Sequence, residues 1–270
     1  MTTQPTITLL TDYGHDDEFV GVCHGVIRKI APDAEVVDVT HGIRRFGVRQ
    51  GAIVLRNTLP YLPSGVHVAV VDPQVGTERR AIALRCGDGR LLVGPDNGLL
   101  SLAWEASGGV DQVVDISRSP HRLEPVSATF HGRDVFAPVA AHLAAGAELA
   151  DAGEPLEADS LALMELPRSW TEEDTLVAHA LTVDRFGNAA LNVTHADLTP
   201  TNLTLGSTVE MEVGGQGYVA TYAVTFADVA PGELIVYEDA YRTLAVAINR
   251  GDAANTLGLA SDTEVRLRPR

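Results

Sequence analysis

The segment Val66–Val71 reads VHVAVV, a nearly continuous apolar run that only His67 interrupts. Runs of this kind are typical of strands whose two faces are both covered, as in parallel sheets flanked by helices. Upstream, short apolar strands at Ile7–Thr11 and Glu35–Val39 alternate with a segment of helical periodicity that starts at Phe19. Strand and helix alternating through short links predict an α/β layered domain with a mostly parallel sheet.

Several further elements of the first half follow from the same patterns. Apolar residues at helical spacing predict a helix over Phe46–Leu59 and another over Val135–Ala145. Beyond residue 170 the chain changes to short strand-like runs separated by Gly, Asn and Asp, which predict a small β-barrel or sandwich. We therefore expect an N-terminal α/β domain over 1–155, a linker over 156–170 and a C-terminal β-barrel domain over 171–270.

The chain of 270 residues carries 20 Lys and Arg against 36 Asp and Glu, a formal charge of −16. This balance argues against a nucleic-acid partner and against an anionic membrane surface. The start of the chain lacks the pattern of a signal peptide, and two lone cysteines form no disulfide framework, so we expect a cytoplasmic protein. All basic residues but Lys29 are Arg. A GC-rich genome and adaptation to high salt both explain this bias.

The densest polar cluster, Thr11–Glu18, follows the first strand and holds four carboxylates. Ligands of open α/β sheets bind at this edge, so a metal, an organic cation or the hydroxyls of a ribose are all possible partners. Asp12 and Asp17 are the stronger candidates for such a role. For Asp16 and Glu18 the simpler interpretation is that they offset the dipole of the following helix.

Two other clusters of the first half carry candidate chemistry. Asp72 ends the buried strand, and Arg79 is far enough along the chain to fold back toward it, which would form either a functional pair or a surface ion pair. His131 lies just before a helix for which Asp134 is the expected N-cap. In the second half, the segments 184–188 and 247–252 have the composition of β-turns.

Six segments in this order resemble the S-adenosylmethionine hydroxide adenosyltransferase family, relatives of the enzymes that fluorinate or chlorinate the same substrate. The segments are TDYG at 11–14, DP at 72–73 with VGT at 75–77, PDNGLL at 95–100, TFHGRD at 129–134, Asp184 with FGN at 186–188, and NRG at 249–251. Each motif is weak by itself, and the specificity lies in their joint order. The resemblance covers essentially the whole chain and implies the same two domains.

The resemblance implies that Asp72, Arg79 and His131 hold the attacking water, a set that the halogenating relatives lack. It implies hydrolysis of S-adenosylmethionine to adenosine and methionine by attack at C5′, with the (R)-sulfonium epimer a candidate substrate. Other positions are expected to contact the substrate. They are Asp12 and Phe46 at the ribose, Asp17 and Asp184 at the methionine end, and Asn188 and Arg250 at the adenine.

The family further implies a homotrimer with active sites between subunits, and neither a metal nor a cofactor. Two departures from its pattern stand out: Gln74 occupies a position where the family usually has Gly, and residues 238–242 replace a Ser/Gly-containing segment. Three rival functions remain open at this point. They are a halogenase, a metal-dependent nucleoside hydrolase using the acidic loop, and a non-catalytic module that binds adenosine or S-adenosylmethionine.

Overall fold

Residues 4–198 and 201–270 are described in a computed structural model, which divides into two units between Met164 and Glu165. That point lies within the segment for which we predicted a linker. The first unit holds seven strands, four α-helices and a π-helical turn. They are β1 (Thr6–Thr11), α1 (Phe19–Ile30), β2 (Glu35–Thr40), α2 (Val48–Thr58), β3 (Val66–Val70), β4 (Ala81–Cys86), β5 (Leu91–Pro95), α3 (Ser101–Ala106), β6 (Val110–Asp115), the π-helical turn (Gly132–Phe136), α4 (Ala137–Ala144) and β7 (Glu154–Pro155).

The strands of the first unit form one sheet in the order β2-β1-β3-β5-β4-β6-β7. The pairs β2–β1, β1–β3 and β3–β5 are parallel, and β4 runs antiparallel to both of its neighbours. All residues of β1 and of β3 are buried. The predicted α/β class is therefore confirmed, and so is the buried strand, which ends at Val70. Three of the six strand pairs are parallel and three antiparallel, so the sheet is mixed.

Alternate residues of the central strands face two separate hydrophobic layers, because successive side chains of a strand point to opposite faces. Ile7 and Leu9 of β1 belong to the layer that α1 and α4 cover, whereas Leu10 packs in the layer of α2 and α3. Both layers are dominated by aliphatic side chains and alanine. Because helices cover both faces of the sheet, polar residues collect at its edges and at the ends of its strands.

The second unit is a small closed barrel. Its elements are β8 (Trp170–Glu172), β9 (Thr175–Val183), β10 (Ala189–Thr194), α5 (His195–Leu198), β11 (Thr208–Val213), β12 (Gln216–Tyr222), β13 (Leu234–Glu238), β14 (Thr243–Ile248), α6 (Ala253–Leu257) and β15 (Glu264–Pro269). Seven strands close in the order β10-β14-β13-β12-β11-β15-β9, because β9 pairs with β10, and β8 extends from β9. The predicted C-terminal barrel is confirmed.

Some predicted boundaries differ from the structure for local reasons. Helix α2 begins at Val48 and not at Phe46, because Phe46 has a φ of 63° and cannot continue a right-handed helix. In the second unit, strand β11 begins at Thr208, after a turn in which the Ser207 amide donates to the Thr204 carbonyl. None of the helices that the structure describes is long and apolar enough to cross a bilayer.

Candidate active site

Three of the predicted residues meet at the end of β3. The guanidinium of Arg79 donates through Nε to Asp72 Oδ1 at 3.1 Å and through Nη2 to Asp72 Oδ2. The same Nη2 lies 3.1 Å from Nδ1 of His131, which comes from a segment 52 residues further along the chain. Because guanidinium nitrogens can only donate, Nδ1 of His131 is the acceptor in this contact. A neutral His131 therefore carries its ring proton on Nε2.

The turn after β3 is what returns Arg79 to Asp72. Gly76 has a φ of 79°, and a Cβ at this position would lie 2.4 Å from the carbonyl oxygen of Ala128, so the turn needs glycine here. The Gln74 carbonyl accepts from the amide of Thr77 at 3.1 Å and from its hydroxyl at 2.8 Å. Gln74 itself does not have a positive φ. The substitution of Gln for Gly therefore places no strain on the backbone.

Asp72 and Arg79 form a buried pair and not the surface ion pair that was one of our two interpretations. Their side chains are 5% and 2% exposed, and the Arg79 guanidinium lies 5.5 Å from the centre of the Phe136 ring. Burial, followed by the positive charge of Arg79, lowers the pKa of His131 from its ordinary value. The arrangement thus keeps His131 neutral beside a fixed positive charge.

Asp12 ends β1 and is held close to this cluster. Its Oδ2 accepts from the Phe46 amide at 3.0 Å, which fixes the positive-φ conformation of Phe46 and leaves the phenyl ring 69% exposed. Burial raises the pKa of Asp12 above its ordinary value; the Phe46 amide acts against this rise, and the negative charge of Asp72 adds to it. A cationic ligand beside Asp12 would relieve the repulsion between the two carboxylates.

Tyr13 is a further residue of the site, and sequence reasoning missed it. A Cβ on Gly132 would lie 2.1 Å from the Tyr13 hydroxyl oxygen, so only glycine fits beside the ring. Burial raises the pKa of Tyr13 well above its ordinary value, and the charges of Asp12 and Asp72 act in the same direction. The sequence signal for this contact is Gly132, which follows His131, because a glycine there allows a large side chain such as Tyr13 to approach the backbone.

The remaining acidic residues near the site are those of the connection before α1 and Asp134. Asp16 and Glu18 lie before and at the N-cap of α1, where Glu18 makes no capping hydrogen bond, and Asp17 is exposed in the same connection. Asp134 is not an N-cap, so that prediction was wrong. It lies within the π-helical turn, 2% exposed, and accepts from the Ser127 amide at 2.8 Å and from the Arg133 guanidinium.

In the second unit, the candidate residues collect at one end of the barrel. Asp184 Oδ1 accepts from the amides of Phe186 and Asn188, and its Oδ2 accepts from Asn188 Nδ2 at 2.8 Å. A Cβ on Gly187 would lie 2.0 Å from Asp252 Oδ1, so this turn packs against the segment that follows Arg250. Asp184 therefore stabilises its own β-turn, as the simpler interpretation predicted, and most of its hydrogen-bonding capacity toward a ligand is already used.

The segment that departs from the family pattern, residues 238–242, forms the hairpin between β13 and β14. Asp239 accepts from the amides of Tyr241 and Thr243 and from the Thr243 hydroxyl, while Glu238 pairs with Arg242 and with His195. These contacts stabilise the hairpin from within.

Arg79 and His131 also border a cavity of about 770 Å³ in the first unit. Its wall contains further charged side chains, among them Arg80, Arg118 and Asp115, but neither Asp12 nor Asp72. The cavity gives solvent a route to the Arg79 and His131 side of the cluster.

Among the described residues, one group of three His, Cys, Asp or Glu side chains has ligand atoms close enough to hold a metal: His24, Asp38 and His41. The acidic loop Thr11–Glu18 contributes no residue to it. The structure therefore gives no support to the metal-dependent nucleoside hydrolase that this loop suggested.

Comparison with known proteins identifies the family. Residues 7–153 match the model of the SAM hydroxide adenosyltransferase N-terminal domain, and residues 178–266 match that of the C-terminal domain. The chain is 49% identical over 267 residues, 99% of both chains, to the (R)-S-adenosyl-L-methionine hydrolase of Salinispora tropica. A fluorinase of Actinoplanes sp. is more distant, at 27% identity over 97% of this chain and 96% of its own.

A crystal structure of an uncharacterized conserved protein from Thermotoga maritima superposes with a TM-score of 0.90 at 36% identity, covering 97% of this chain and 99% of that one. Both domain models, the full-length relatives and this superposition point to one family. The chain belongs to the SAM hydroxide adenosyltransferase family.

Proposed function

We propose that this protein hydrolyses (R)-S-adenosyl-L-methionine to adenosine and L-methionine. The observation that carries the proposal is that hydrogen bonds from Arg79 hold Asp72 and His131 together. The family resemblance implies that these three residues hold the attacking water. The set occurs in a chain 49% identical along its length to a protein named as this hydrolase. We further propose that the reaction needs no cofactor.

The reaction is a displacement at C5′ of the sulfonium substrate. The water oxygen forms a bond to C5′ while the C5′–S bond breaks, and the bonding electron pair stays on sulfur, which becomes the neutral thioether of methionine. Because a sulfonium leaves without protonation, the site needs no general acid on that side. What it must supply is an aligned nucleophile and an acceptor for one water proton.

The hydrogen bonds divide these tasks among the three residues. His131 accepts from Arg79 at Nδ1, so its Nε2–H is left to donate to the water and orient it. Arg79 places a fixed positive charge where hydroxide character develops. Asp72 then takes the water proton, which passes to solvent. This geometry favours an orienting role for His131 over a role in deprotonating the water.

Substrate binding is proposed to use residues of both units. The sulfonium and ammonium groups make the substrate a net cation, which suits Asp12 with its raised pKa beside Asp72. In the proposal Asp12 accepts from the ribose hydroxyls, and the exposed Phe46 ring packs near the sugar. Asp17 and Asp184 at the methionine end are less favoured by their surroundings, since Asp17 is exposed and Asp184 is occupied by its own turn.

The test is to incubate the purified protein with each sulfonium epimer and to follow adenosine. The proposal expects adenosine and methionine from the (R) epimer, and no adenosine from either epimer would overturn it. Adding chloride tests the halogenase alternative, which requires 5′-chloro-5′-deoxyadenosine as product. A binding module would instead retain the substrate stoichiometrically without turnover.

We also propose a cytoplasmic homotrimer whose active sites combine the first unit of one subunit with the second unit of a neighbour. The distribution of candidate residues supports this, since the water-binding set is on the first unit and the adenine set, Asn188 and Arg250, is on the second. The test is to mix the inactive Asp72→Asn and Asn188→Ala proteins, let them exchange subunits, and measure activity. Sites shared between subunits regain activity in the mixture, whereas sites built within one chain stay inactive.

A further inference from the structure

His24, Asp38 and His41 form a second cluster, which shares no residue with Asp72, Arg79 and His131. His24 lies on α1, Asp38 on β2 and His41 directly after β2. Oδ1 of Asp38 is 2.8 Å from Nε2 of His24 and 3.0 Å from Nε2 of His41. Ligand atoms of all three residues lie within 4.8 Å of one another. Two imidazoles and one carboxylate therefore converge on one point from three segments of the chain.

His41 is the buried member of this cluster, with 1% of its side chain exposed. Its Nδ1 is 2.8 Å from the Thr11 hydroxyl, but its Nε2 has no hydrogen-bond partner, because the nearby Asp38 oxygen is out of line. Leaving a buried polar atom unpaired costs about 1–3 kcal/mol. This nitrogen lies within 4.8 Å of the ligand atoms of His24 and Asp38, so a cation bound among the three would satisfy it.

The spacing suits a tetrahedral transition metal. Zinc binds imidazole nitrogen and carboxylate oxygen at about 2.0–2.2 Å, so neighbouring ligand atoms in a tetrahedral site are about 3.3 Å apart. The two separations from Asp38 Oδ1, 2.8 and 3.0 Å, need to open by about 0.3–0.5 Å to reach this distance. The ligand atoms of His24 and His41 lie within 4.8 Å of each other, close enough to share one ion. The Thr11 hydroxyl at Nδ1 of His41 is the kind of second contact that orients a metal-bound imidazole.

We propose that His24, Asp38 and His41 bind one Zn²⁺ ion, with the fourth position open to water. This inference does not rest on the proposed hydrolysis. The ion would join α1 to the edge strand β2. It would also fix the connection after β2, where the His41 carbonyl accepts from the Gly14 amide at 2.9 Å. Since Thr11 and Gly14 flank Asp12 on the chain, the role is to position the substrate-binding loop.

Zinc binding is tested directly on chelator-treated full-length protein. We expect one equivalent of Zn²⁺ by calorimetric titration, and a visible absorption spectrum of tetrahedral Co²⁺ when cobalt is added instead. His24→Ala and Asp38→Asn, which change partly exposed ligands, should each weaken binding by about 10- to 100-fold or more. Circular dichroism establishes that each variant is folded.

His142→Ala serves as the matched control, because His142 stacks on His121 with ring centres 4.5 Å apart and does not belong to the cluster. Its zinc affinity should equal that of the unmodified protein. Stoichiometric binding that is lost in both ligand variants and kept in this control supports the site. Two results would overturn the proposal: no stoichiometric zinc binding, or equal zinc affinity in the unmodified protein and all three variants. Either would show that hydrogen bonds, and not a metal ion, hold the cluster together.

Discussion

Arg79 holds the candidate water site together, because one guanidinium contacts two other members of the set. It donates to both oxygens of Asp72 and to Nδ1 of His131, and a fourth hydrogen bond runs to the Arg80 carbonyl. The fork of guanidinium donors is what allows these contacts from a single buried side chain. Any replacement must therefore give up some of this geometry even if it keeps the charge.

Replacing Arg79 with Lys should lower kcat by about 10²–10³-fold, the range for loss of one preorganised donor that stabilises developing negative charge. KM should change little, since the residue acts on the water and not on the bound substrate. Steady-state kinetics measures both. Arg90→Lys is the control, because Arg90 pairs with Asp88 in a hairpin remote from this cluster. Equal loss of activity in both variants would contradict the role of Arg79.

Activity should depend on the protonation of His131. Burial, followed by the positive charge of Arg79, lowers the pKa of His131 below its ordinary value of 6.5, so the neutral form predominates at and above pH 6.5. Protonation at Nδ1 removes the acceptor for Arg79 and adds a like charge, so kcat/KM should fall as the pH drops through the lowered pKa. A pH profile measures this, and His131→Gln, which cannot titrate, should lack this limb. An acid limb centred at or above pH 7 would contradict the assignment.

At the scale of elements, the π-helical turn Gly132–Phe136 and the turn after β3 bring the site together. The first carries His131 at its start and Asp134 in its interior, and it passes so close to Tyr13 that Gly132 has no room for a side chain. The second needs Gly76 where it passes Ala128. Two close backbone approaches thus set the distance between Arg79 and His131.

Gly132→Ala should disturb the site without touching a reacting group. The added methyl would meet the Tyr13 hydroxyl at 2.1 Å, and overpacking of this kind costs about 1–3 kcal/mol of unfolding free energy. We expect lower kcat/KM together with a lower midpoint in urea unfolding. Gly21→Ala on α1 is the matched control: its Cβ meets nothing within 4 Å, so stability should stay equal or rise. A Gly132→Ala protein indistinguishable from this control would refute the argument.

At the scale of the whole molecule, the charge of −16 is a property of the surface. Few of the acidic side chains that the structure describes are buried, among them Asp72, Asp96 and Asp134. Asp12 and Asp72 face the candidate site, and with the other proposed binding residues they account for only a small part of the excess. The acidic surface is therefore a feature separate from catalysis, and it predicts self-repulsion at low ionic strength.

If this surface is an adaptation to salt, the protein should be folded in molar KCl and should unfold in dilute buffer, where the repulsion is unscreened. Thermal unfolding followed by circular dichroism across a KCl series measures this. A melting temperature that is the same in dilute buffer and in molar KCl would contradict salt adaptation and leave codon bias as the explanation of the Arg content.

The periodicity of apolar residues by itself determined the two architectures, because burial of one face or both faces of an element is a local property of the chain. The same local reasoning placed Asp12 and Asp72 at strand ends and predicted that Arg79 returns to Asp72. It failed at Phe46, whose positive φ accompanies a hydrogen bond to Asp12, 34 residues earlier in the chain. It also failed at Asp134, which lies within a π-helical turn and accepts from the Ser127 amide.

Only the tertiary structure decided which partners these residues have. Arg79 meets His131 across 52 residues of chain, and Tyr13 packs against Gly132, which lies near the start of the π-helical turn far along the chain. His24 joins Asp38 and His41 only because α1 packs beside β2. Contacts between residues this far apart in the chain cannot be predicted from sequence spacing. They follow from how the helices and strands pack, and not from the periodicity of a single helix or strand.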